Sequence, residues 1–399
     1  MRDDPSTRPQ VTLVTGKHKR AERGHPWIYS NEVVLNAAAK ALPAGSLVTV
    51  RTAEGRSLGV ATFNAQPLIT CRIITRDWSV KIDRGFLVKR FERALALRDR
   101  LFAEPYYRLI HAEADGLPGL IVDRYGTALV CQLNTAWASA MEDDILKALD
   151  EVLAPEVVVF RNDSHARSLE GLPSETRFAK GALAAPLEVR ENGSTFLADL
   201  SEGQKTGWFF DQRLNRAFVA GLAKGQRVID CYSFTGGFGL QAAVAGAAEV
   251  TLVDRSEPAL ALAKRAAELN QVADRCKILR GEVFETLEKL AEAKERFDVV
   301  ILDPPAFVKS KKDLGPGSRG YRKMVRLGAA LVAKQGVLLA ASCSHNMPLE
   351  LFAEAVRQGL DDAGRVGRIL YTGGAGPDHP VHPALPESAY LKAQVLALD

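Results

Sequence analysis

An acid and two prolines stand together after a short apolar run in the C-terminal half of the chain. Asp303 follows residues 298–302 directly, and Pro304 and Pro305 come next. Because proline fixes its own φ angle, the two prolines hold an extended turn, and Asp303 with the neighbouring carbonyls becomes a preorganised acceptor surface. Such a surface suits a planar amide or an exocyclic amine. The simpler interpretation is that Asp-Pro-Pro only ends a strand.

A cysteine follows the next apolar run along the chain. Cys343 comes after residues 337–341 and has Ser342, Ser344 and His345 as neighbours. A free cysteine is usually a small buried hydrophobic residue. At a strand end among polar residues, however, it has the partly exposed surroundings in which a nucleophilic thiolate can form. The other four cysteines lack such neighbours and are interpreted as structural: Cys71, Cys131, Cys231 and Cys276.

A glycine-rich loop precedes both of these residues. It joins an apolar run ending at Asp230 to a helical pattern, and a second apolar run ends at Asp254. Glycines let a ligand approach the backbone, a helix N-terminus offers free N–H groups, and an acid after the second strand can accept both hydroxyls of a ribose. The loop predicts a site for a nucleoside-containing cofactor. The spacing of Gly237, Gly239 and Ala242 also fits the relaxed dinucleotide-binding pattern, so the loop alone does not exclude a dehydrogenase. The Asp-Pro-Pro motif argues against a dehydrogenase, because hydride transfer does not need it.

Alternating strands and helices must position these residues. Apolar runs at 228–231, 250–253, 277–279, 298–302 and 337–341 are separated mostly by helical patterns. This alternation predicts an α/β domain with a doubly wound, largely parallel sheet, and the carboxyl ends of parallel strands meet at one edge. Two further β-like runs, at 368–371 and 390–396, end the chain.

Two other units are predicted before residue 187. Residues 1–76 contain short β-branched runs separated by turns and are predicted to form a small β domain, and residues 77–186 are predicted to form an α+β module. A basic cluster in the first unit leads into aromatic residues, which favours contact with phosphates and stacked bases over a merely solvated turn. Its candidate RNA-binding residues are Lys17, Lys19, Arg20, Arg23 and Trp27.

A second basic segment, residues 308–326, lies between Asp303 and Cys343. It contains several glycines and so can move, and its position favours contact with a phosphate backbone over a solvated face. Seven basic residues stand there against the single acid Asp313: Lys309, Lys311, Lys312, Arg319, Arg322, Lys323 and Arg326.

Bulk composition narrows the class of protein only moderately. The chain has 399 residues and a net charge of +4, which is too small to indicate nucleic-acid binding without local clusters. The five cysteines are scattered and include no Cys-x-x-Cys pair, so neither a disulfide framework nor a metal site is predicted. No apolar run approaches the ~18 residues of a membrane span, and we expect a cytoplasmic protein without membrane contact.

Taken together and in order, the motifs resemble a known family. The chain is similar over nearly its whole length to class I S-adenosylmethionine-dependent RNA methyltransferases, most closely the bacterial large-subunit ribosomal RNA cytosine-5 methyltransferase I family. The motifs that carry the resemblance begin at His25 (HPWIYS), Ala114 (ADGLPGL), Lys205 (KTGWFFDQR), Phe234 (FTGGF), Asp303 (DPPAF), Ser342 (SCS), Asp378 (DHPV) and Tyr390 (YLK). The resemblance implies a Rossmann-like class I methyltransferase domain at 187–399 with an antiparallel last strand, preceded by a PUA-type RNA-binding β-barrel and an α+β middle domain.

The resemblance also implies S-adenosyl-L-methionine as cofactor and assigns residues to it. The loop after the first strand would hold the methionine part, Asp254 the ribose, and Glu282 the adenine. Gly281 stands where the family often has a first acid of a pair. The loop residues so implied are Asp230, Phe234, Thr235, Gly236, Gly237 and Gly239; Asp303 lines the same pocket, and Thr206, Phe210 and Arg213 would close it.

The chemistry implied is methylation of C5 of a cytosine in RNA, with ribosomal RNA as the expected partner. Cys343 as thiolate would add to C6, and Asp303, bonded to N3 or N4, would stabilise the charge that develops on the ring. Related two-cysteine enzymes carry a second cysteine where this chain has Ala306, so the base that removes the C5 proton is not assigned, and His345 and water are the candidates.

A homodimer is compatible with the sequence. Two alternatives stay open: a guanine-N7 or other RNA methyltransferase without a nucleophilic cysteine, and a non-catalytic RNA-binding ribosome-assembly factor.

Overall fold

The computed structural model describes residues 3–200 and 206–399, so Lys205 of the motif above lies outside the described residues. The chain forms two compact units. Unit 1 comprises Met1–Ala185, Asp199–Trp208 and Pro377–Pro386. Unit 2 comprises Pro186–Ala198, Phe209–Gly376 and Glu387–Asp399.

The first part of unit 1 is a five-stranded sheet with the order β1-β3-β4-β5-β2. Strand β1 runs parallel to β3, and the other pairs are antiparallel. β-Branched and aromatic residues favour these strands, and their inward side chains form an apolar core. The elements are β1 (Gln10–Thr12), α1 (Lys19–Glu22), β2 (Trp27–Tyr29), α2 (Ala37–Lys40), β3 (Ser46–Arg51), β4 (Ser57–Phe63) and β5 (Ile69–Thr75).

The second part of unit 1 is an α+β module whose sheet has the order β10-β9-β8-β7-β6. The Asp83 side chain caps its first helix by accepting a hydrogen bond from the Phe86 backbone N–H. Two of its helices meet at Met141. The elements are α3 (Arg84–Leu101), β6 (Tyr106–His111), β7 (Leu120–Tyr125), β8 (Ala128–Leu133), α4 (Ala136–Ala140), α5 (Glu142–Leu153), β9 (Val157–Asn162), α6 (His165–Leu169) and β10 (Glu175–Lys180).

Unit 2 is a seven-stranded sheet with helices between its strands, preceded by a two-stranded hairpin, β11 (Leu187–Glu191) and β12 (Ser194–Ala198). The sheet order is β15-β14-β13-β16-β17-β19-β18, and β19 is antiparallel to both of its neighbours. The remaining elements are α7 (Arg213–Ala220), β13 (Arg227–Cys231), α8 (Gly237–Val244), β14 (Glu249–Asp254), α9 (Glu257–Leu269), β15 (Cys276–Arg280), α10 (Val283–Glu292), β16 (Phe297–Leu302), α11 (Leu314–Leu331), β17 (Val332–Ser342), α12 (Leu349–Asp362), β18 (Gly367–Gly373) and β19 (Lys392–Leu398).

The central strands of this sheet determine where a ligand can bind. β13 pairs in parallel with both β14 and β16, so the strand order reverses beside β13. In open α/β sheets the crevice at such a reversal, outside the carboxyl ends of the strands, is the usual ligand site. Asp230, Asp254, Asp303 and Cys343 all lie at or directly after the carboxyl ends of these strands. The predicted parallel sheet and its antiparallel last strand are confirmed.

One expectation about flexibility was wrong. Most of the basic segment 308–326 is not a mobile loop, since helix α11 begins at Leu314. A Cβ atom at Gly317 would lie 2.4 Å from Cγ2 of Val308 and 2.9 Å from the carbonyl oxygen of Phe307. This glycine therefore allows close packing of the helix instead of movement. The basic side chains of the segment are nevertheless exposed. No helix in the described ranges is both long and apolar enough to cross a membrane.

Candidate active site

The loop after β13 has a strained backbone that two carboxylates hold in place. Tyr232 and Phe234 have φ angles of 63° and 51°, in the left-handed region that residues other than glycine seldom adopt. Oδ2 of Asp230 accepts a hydrogen bond of 2.8 Å from the Gly239 N–H. The Phe234 N–H donates to Oδ2 of Asp254 at 2.9 Å. Strain of this kind persists only where the surroundings enforce it, and it is common at functional sites.

Polar atoms without partners line the same loop. Within the part of the chain that the structure describes, Oδ1 of Asp230 and the hydroxyls of Ser233 and Thr235 are buried and make no hydrogen bond. Buried polar groups are normally paired, so this cluster indicates a polar ligand. Burial raises the pKa of the Asp230 carboxyl to about 8, and the charges of Asp303 and Asp254 add to the shift. A cationic ligand group would favour the ionised form of this carboxyl.

Asp303 is oriented by a chain of side-chain amides. Nε2 of Gln212 donates to Oδ1 of Asp303 at 2.9 Å, and Nδ2 of Asn215 donates to Oε1 of Gln212 at 2.6 Å. Both amides are buried. Sequence reasoning missed these two residues, although Gln212 lies in the polar and aromatic stretch before α7. The amides fix one oxygen of Asp303 and so determine the direction in which the carboxylate faces.

Cys343 lies at the end of the strand next to β16, beside the diproline turn. Its side chain is partly exposed, and Sγ is 3.9 Å from the carbonyl oxygen of Pro304. Burial raises the pKa of the Cys71 thiol to about 12 and that of the Cys276 thiol to about 11. The thiols of Cys131 and Cys231 are fully buried, and burial raises their pKa values as well. Cys343 is thus the cysteine that the fold places at the candidate site.

A buried tyrosine joins the two loops that carry Asp303 and Cys343. The Ser342 hydroxyl donates to the hydroxyl of Tyr321 at 2.7 Å, and that hydroxyl is also 2.9 Å from Oγ of Ser344. The Val308 N–H donates to the same Oγ at 3.1 Å. Tyr321 belongs to α11, the helix that was expected to be mobile. Its hydroxyl therefore fastens the turn after Cys343 to the turn after Asp303.

A buried lysine on β19 holds the turn that follows Cys343. Lys392 pairs across the sheet with Ser342, and its Nζ donates to the carbonyl oxygens of Ser344 and Met347, each at 2.7 Å. No carboxylate of the described residues lies within 4.0 Å of this ammonium. Burial lowers the pKa of Lys392 to about 8, and the opposite charge of a Cys343 thiolate counteracts that shift. Buried lysines without an acid partner are rare, which marks this residue as a functional candidate that sequence reasoning did not assign.

Comparison with known proteins agrees with this geometry. A family model described as S-adenosylmethionine-dependent methyltransferase matches residues 152–366, and one described as a PUA-like domain matches residues 11–76. The chain is 38% identical over 392 residues to a protein from Shewanella amazonensis named ribosomal RNA large subunit methyltransferase I, covering 97% of this chain and 98% of the relative. A protein of the same name from Pseudoalteromonas atlantica is 36% identical over 390 residues with the same coverage, 97% and 98%. This chain belongs to the S-adenosylmethionine-dependent methyltransferases.

A solved structure agrees with this methyltransferase in fold. A crystal structure described as a methyltransferase complexed with SAH has a TM-score of 0.84 and 21% identity, and the match covers 98% of this chain and 100% of the other. The family, the fold and the cofactor that the motifs implied are therefore confirmed. The loop of this methyltransferase also fits S-adenosylmethionine chemically, because the buried unpaired atoms of Asp230, Ser233 and Thr235 can pair with the polar groups of its methionine part.

The other residues expected in the cofactor pocket of this methyltransferase lie in different places. Thr206 is buried in unit 1, where its carbonyl oxygen accepts a 2.9 Å hydrogen bond from the Tyr125 hydroxyl. Phe210 and Arg213 are buried in unit 2, and the Arg213 guanidinium lies 5.6 Å from the Phe210 ring centroid. Glu282 is the residue before α10, and its side chain is exposed.

The aromatic residues near the first basic cluster of this methyltransferase make internal contacts. Nε1 of Trp27 donates to Glu113 at 2.7 Å, and the Arg20 guanidinium lies 4.3 Å from the ring centroid of Tyr29. Arg20 also donates to Glu32 at 2.7 Å. In the second cluster, Arg322 forms a bidentate pair with Asp362 on α12. The exposed basic residues of the two clusters are Lys17, Lys19, Arg23, Lys309, Lys311, Lys312, Arg319, Arg322, Lys323 and Arg326.

A stacked aromatic pair includes His345, two residues after the candidate nucleophile. The ring of His345 stacks on Tyr390 at a centroid distance of 4.8 Å. The Tyr390 hydroxyl donates to Oδ2 of Asp211 at 2.5 Å. Tyr390 therefore holds the imidazole near Cys343, two residues away in the chain, while the imidazole stays accessible to solvent.

Proposed function

We propose that this methyltransferase transfers a methyl group to C5 of a cytosine in large-subunit ribosomal RNA through a covalent bond between Cys343 and C6. The observation that carries the proposal is the position of Cys343 beside the Pro304 carbonyl, with Asp303 at the neighbouring strand end. The curated relatives are named ribosomal RNA large subunit methyltransferases I, which supports the choice of RNA.

The cysteine is needed because C5 of cytosine is a poor nucleophile. The Cys343 thiolate gives an electron pair to C6, and the electrons of the C5–C6 double bond move to C5 and into the ring. When bound, S-adenosylmethionine would supply the electrophilic methyl group that C5 takes, and the electron pair of the broken methyl–sulfur bond would stay on the sulfur. A base then removes the proton on C5, the C5–C6 double bond forms again, and the C6–S bond breaks to return the thiolate.

Asp303 and the residues around Cys343 have separate tasks in this scheme. Asp303, oriented by Gln212, bonds to N3 or N4 of the base and stabilises the charge that develops on the ring. Lys392 positions the turn that carries Cys343 and favours its anionic form through its own positive charge. His345 or a water molecule removes the C5 proton, and the location of His345 on the solvent side suits either route.

The cofactor loop and the basic clusters complete the proposal. The loop from Asp230 to Gly239, with Phe234, Thr235, Gly236 and Gly237, holds the methionine part. Asp254 holds the ribose and Glu282 the adenine, and Phe210, Arg213 and Asp303 contribute to the pocket. The exposed basic residues of both clusters, with Arg20 and Trp27, contact RNA phosphates and bases.

Replacing Asp254 with alanine should weaken S-adenosylmethionine binding. The change removes the acceptor for the ribose and the brace on the Phe234 N–H. Loss of hydrogen bonds to a charged group corresponds to about a 10–100-fold higher Kd. Isothermal titration calorimetry measures the effect, and Glu257→Ala, an exposed residue at the start of α9, is the control. Equal affinities of Asp254→Ala and the wild type would contradict the assignment.

Replacing Lys392 with methionine should make Cys343 react only at higher pH. Without the buried positive charge the thiolate is less stable, so the pH at which Cys343 becomes reactive should rise. The pH dependence of iodoacetamide alkylation of Cys343, followed by mass spectrometry, measures this. Lys392→Arg should retain most of the effect of the charge, and Lys334→Met, an exposed residue on β17, is the control. An unchanged alkylation profile in Lys392→Met would show that the lysine acts on the fold alone.

The proposed reaction is tested by mapping 5-methylcytosine in large-subunit ribosomal RNA. Bisulfite sequencing of RNA from cells with and without the gene should show one cytosine that is protected only when the gene is present. Expression of the wild-type chain should restore that protection, and the Cys343→Ala chain should not. If every cytosine has the same protection in both strains, the proposed substrate or the proposed atom is wrong.

A further inference from the structure

A basic groove lies in unit 1, between the end of β5 and the first half of α3. It has a volume of about 650 Å³, and its lining includes Lys81, Lys89, Arg90 and Arg93. Asp83 is the only acid in that lining. None of these residues belongs to the basic clusters discussed above. Concave surfaces lined by one sign of charge concentrate ions of the opposite sign.

The spacing of the cations places them on one face of α3. Phe86, Lys89, Arg90 and Arg93 follow the pattern i, i+3, i+4, i+7, which projects side chains from the same side of a helix. Like charges at i and i+4, here Lys89 and Arg93, destabilise a helix. The arrangement therefore does not serve the stability of α3, and a ligand is the better explanation.

The basic residues on the two faces of helix α3 differ in their ion pairs with acidic side chains. Away from the groove, Arg84 lies 3.7 Å from Glu151, and Arg98 forms a bidentate pair with Asp115. Among the residues that the structure describes, no carboxylate lies within 4.0 Å of Lys89, Arg90 or Arg93. Within the described residues, three of the four basic residues of α3 without an acidic partner therefore line the groove, and Arg100 is the fourth. Lys81, which also lines the groove, lies 3.4 Å from Asp83.

Arg90 is held ready for an anion. Its guanidinium lies 4.9 Å from the ring centroid of Phe86 and donates to the carbonyl oxygen of Ile74 at 3.4 Å. Burial, and then the neighbouring charge of Arg93, lower the pKa of Arg90. Both effects oppose a positive charge, and a bound anion would relieve both.

We propose that this groove binds phosphates of the RNA backbone. Lys89, Arg90 and Arg93 span ~6 Å of helix, and Lys81 adds a positive charge from outside the helix, so the lining can contact more than one phosphate. A polyanion fits this length. Contacts of lysine and arginine with phosphates carry no base information, so the groove supplies affinity and orientation and not the choice of cytosine. This inference rests on the proposed function in that it takes RNA as the substrate.

The test reverses two charges on the groove face of the full chain. Lys89→Glu with Arg93→Glu should raise the Kd for a large-subunit ribosomal RNA fragment at least ~10-fold and reduce the salt slope of log K by about 2. Arg100→Glu with Lys147→Glu has the same change in net charge at exposed positions outside the groove, and it should have a much smaller effect. Fluorescence anisotropy at several salt concentrations measures both, and circular dichroism with thermal unfolding shows whether both variants are folded.

Several results would overturn the inference. Equal losses of affinity in the two double variants would show a general effect of net charge, and no loss in either would show that the groove does not contact RNA. Binding of inorganic phosphate, or of vesicles with an anionic phospholipid, that is lost in the groove variant while RNA affinity is unchanged would assign the groove to another ligand. If the wild type binds and methylates no RNA, the proposed function fails first, so the two failures are distinguishable.

Discussion

Cys343→Ala is expected to lower the turnover number for RNA methylation by at least ~10³-fold, because no other group in the scheme can activate C6. The Kd for S-adenosylmethionine should stay within about twofold of the wild type, since Cys343 is not among the residues proposed to hold the cofactor. Single-turnover transfer of a labelled methyl group to ribosomal RNA gives the rate, and calorimetry gives the Kd.

The matched control for this variant is Cys276→Ala. Cys276 is also partly exposed, but it begins the edge strand β15, and burial raises the pKa of its thiol to about 11. It should keep the wild-type rate. A Cys343→Ala protein that methylates near the wild-type rate would exclude the covalent route and favour an RNA methyltransferase without a nucleophilic cysteine.

Asp303→Asn is expected to lower the turnover number by about 10²–10³-fold, the usual effect of removing one preorganised group that stabilises transition-state charge. The substitution keeps the size of the side chain and removes its negative charge. In the wild type the Gln212 side-chain N–H donates to Asp303. The asparagine side chain also presents an N–H donor toward Gln212. Rates at saturating RNA and at saturating cofactor separate this effect from weaker binding.

Two comparisons sharpen the result for Asp303. Asp313→Asn makes the same replacement, with the same loss of one negative charge, in the turn before α11, and it should leave the rate unchanged. Gln212→Leu removes the amide that orients Asp303 and should lower the rate less than Asp303→Asn does. If Asp303→Asn changes only the KM for RNA, Asp303 binds the base without stabilising the transition state.

The placement of Asp230, Asp254, Asp303 and Cys343 could be predicted from the sequence. Each follows a short apolar run, and such runs alternate with helical patterns, which together indicate parallel strands whose carboxyl ends share one edge. Local sequence patterns were enough for this prediction, because the side chains at the carboxyl ends of parallel strands lie at the same edge of the sheet whatever the details of packing. The antiparallel orientation of the last strand was predicted only from the resemblance to the methyltransferase family.

The supporting residues could not be predicted in the same way. Lys392 reaches the turn after Cys343 because β19 inserts between β17 and β18, and the carbonyl of Ser344 lies 48 positions away in the chain. Tyr321 acts through hydroxyls on another strand, and no local pattern shows such a contact. The glycines of α11 were misread for a related reason. Glycine signals flexibility in an isolated sequence, whereas at Gly317 it permits close packing against the turn after Asp303.

The most direct test of the covalent route uses ribosomal RNA that contains 5-fluorocytidine. Fluorine at C5 cannot leave as a proton does, so the reaction should stop with the methylated base still attached to the enzyme. We expect a protein–RNA complex that survives denaturation, forms only with S-adenosylmethionine present, and is joined at Cys343 in peptide mass spectra. Release of methylated RNA from the unmodified substrate without any such complex from the fluorinated one, or a complex that also forms with Cys343→Ala, would contradict the account.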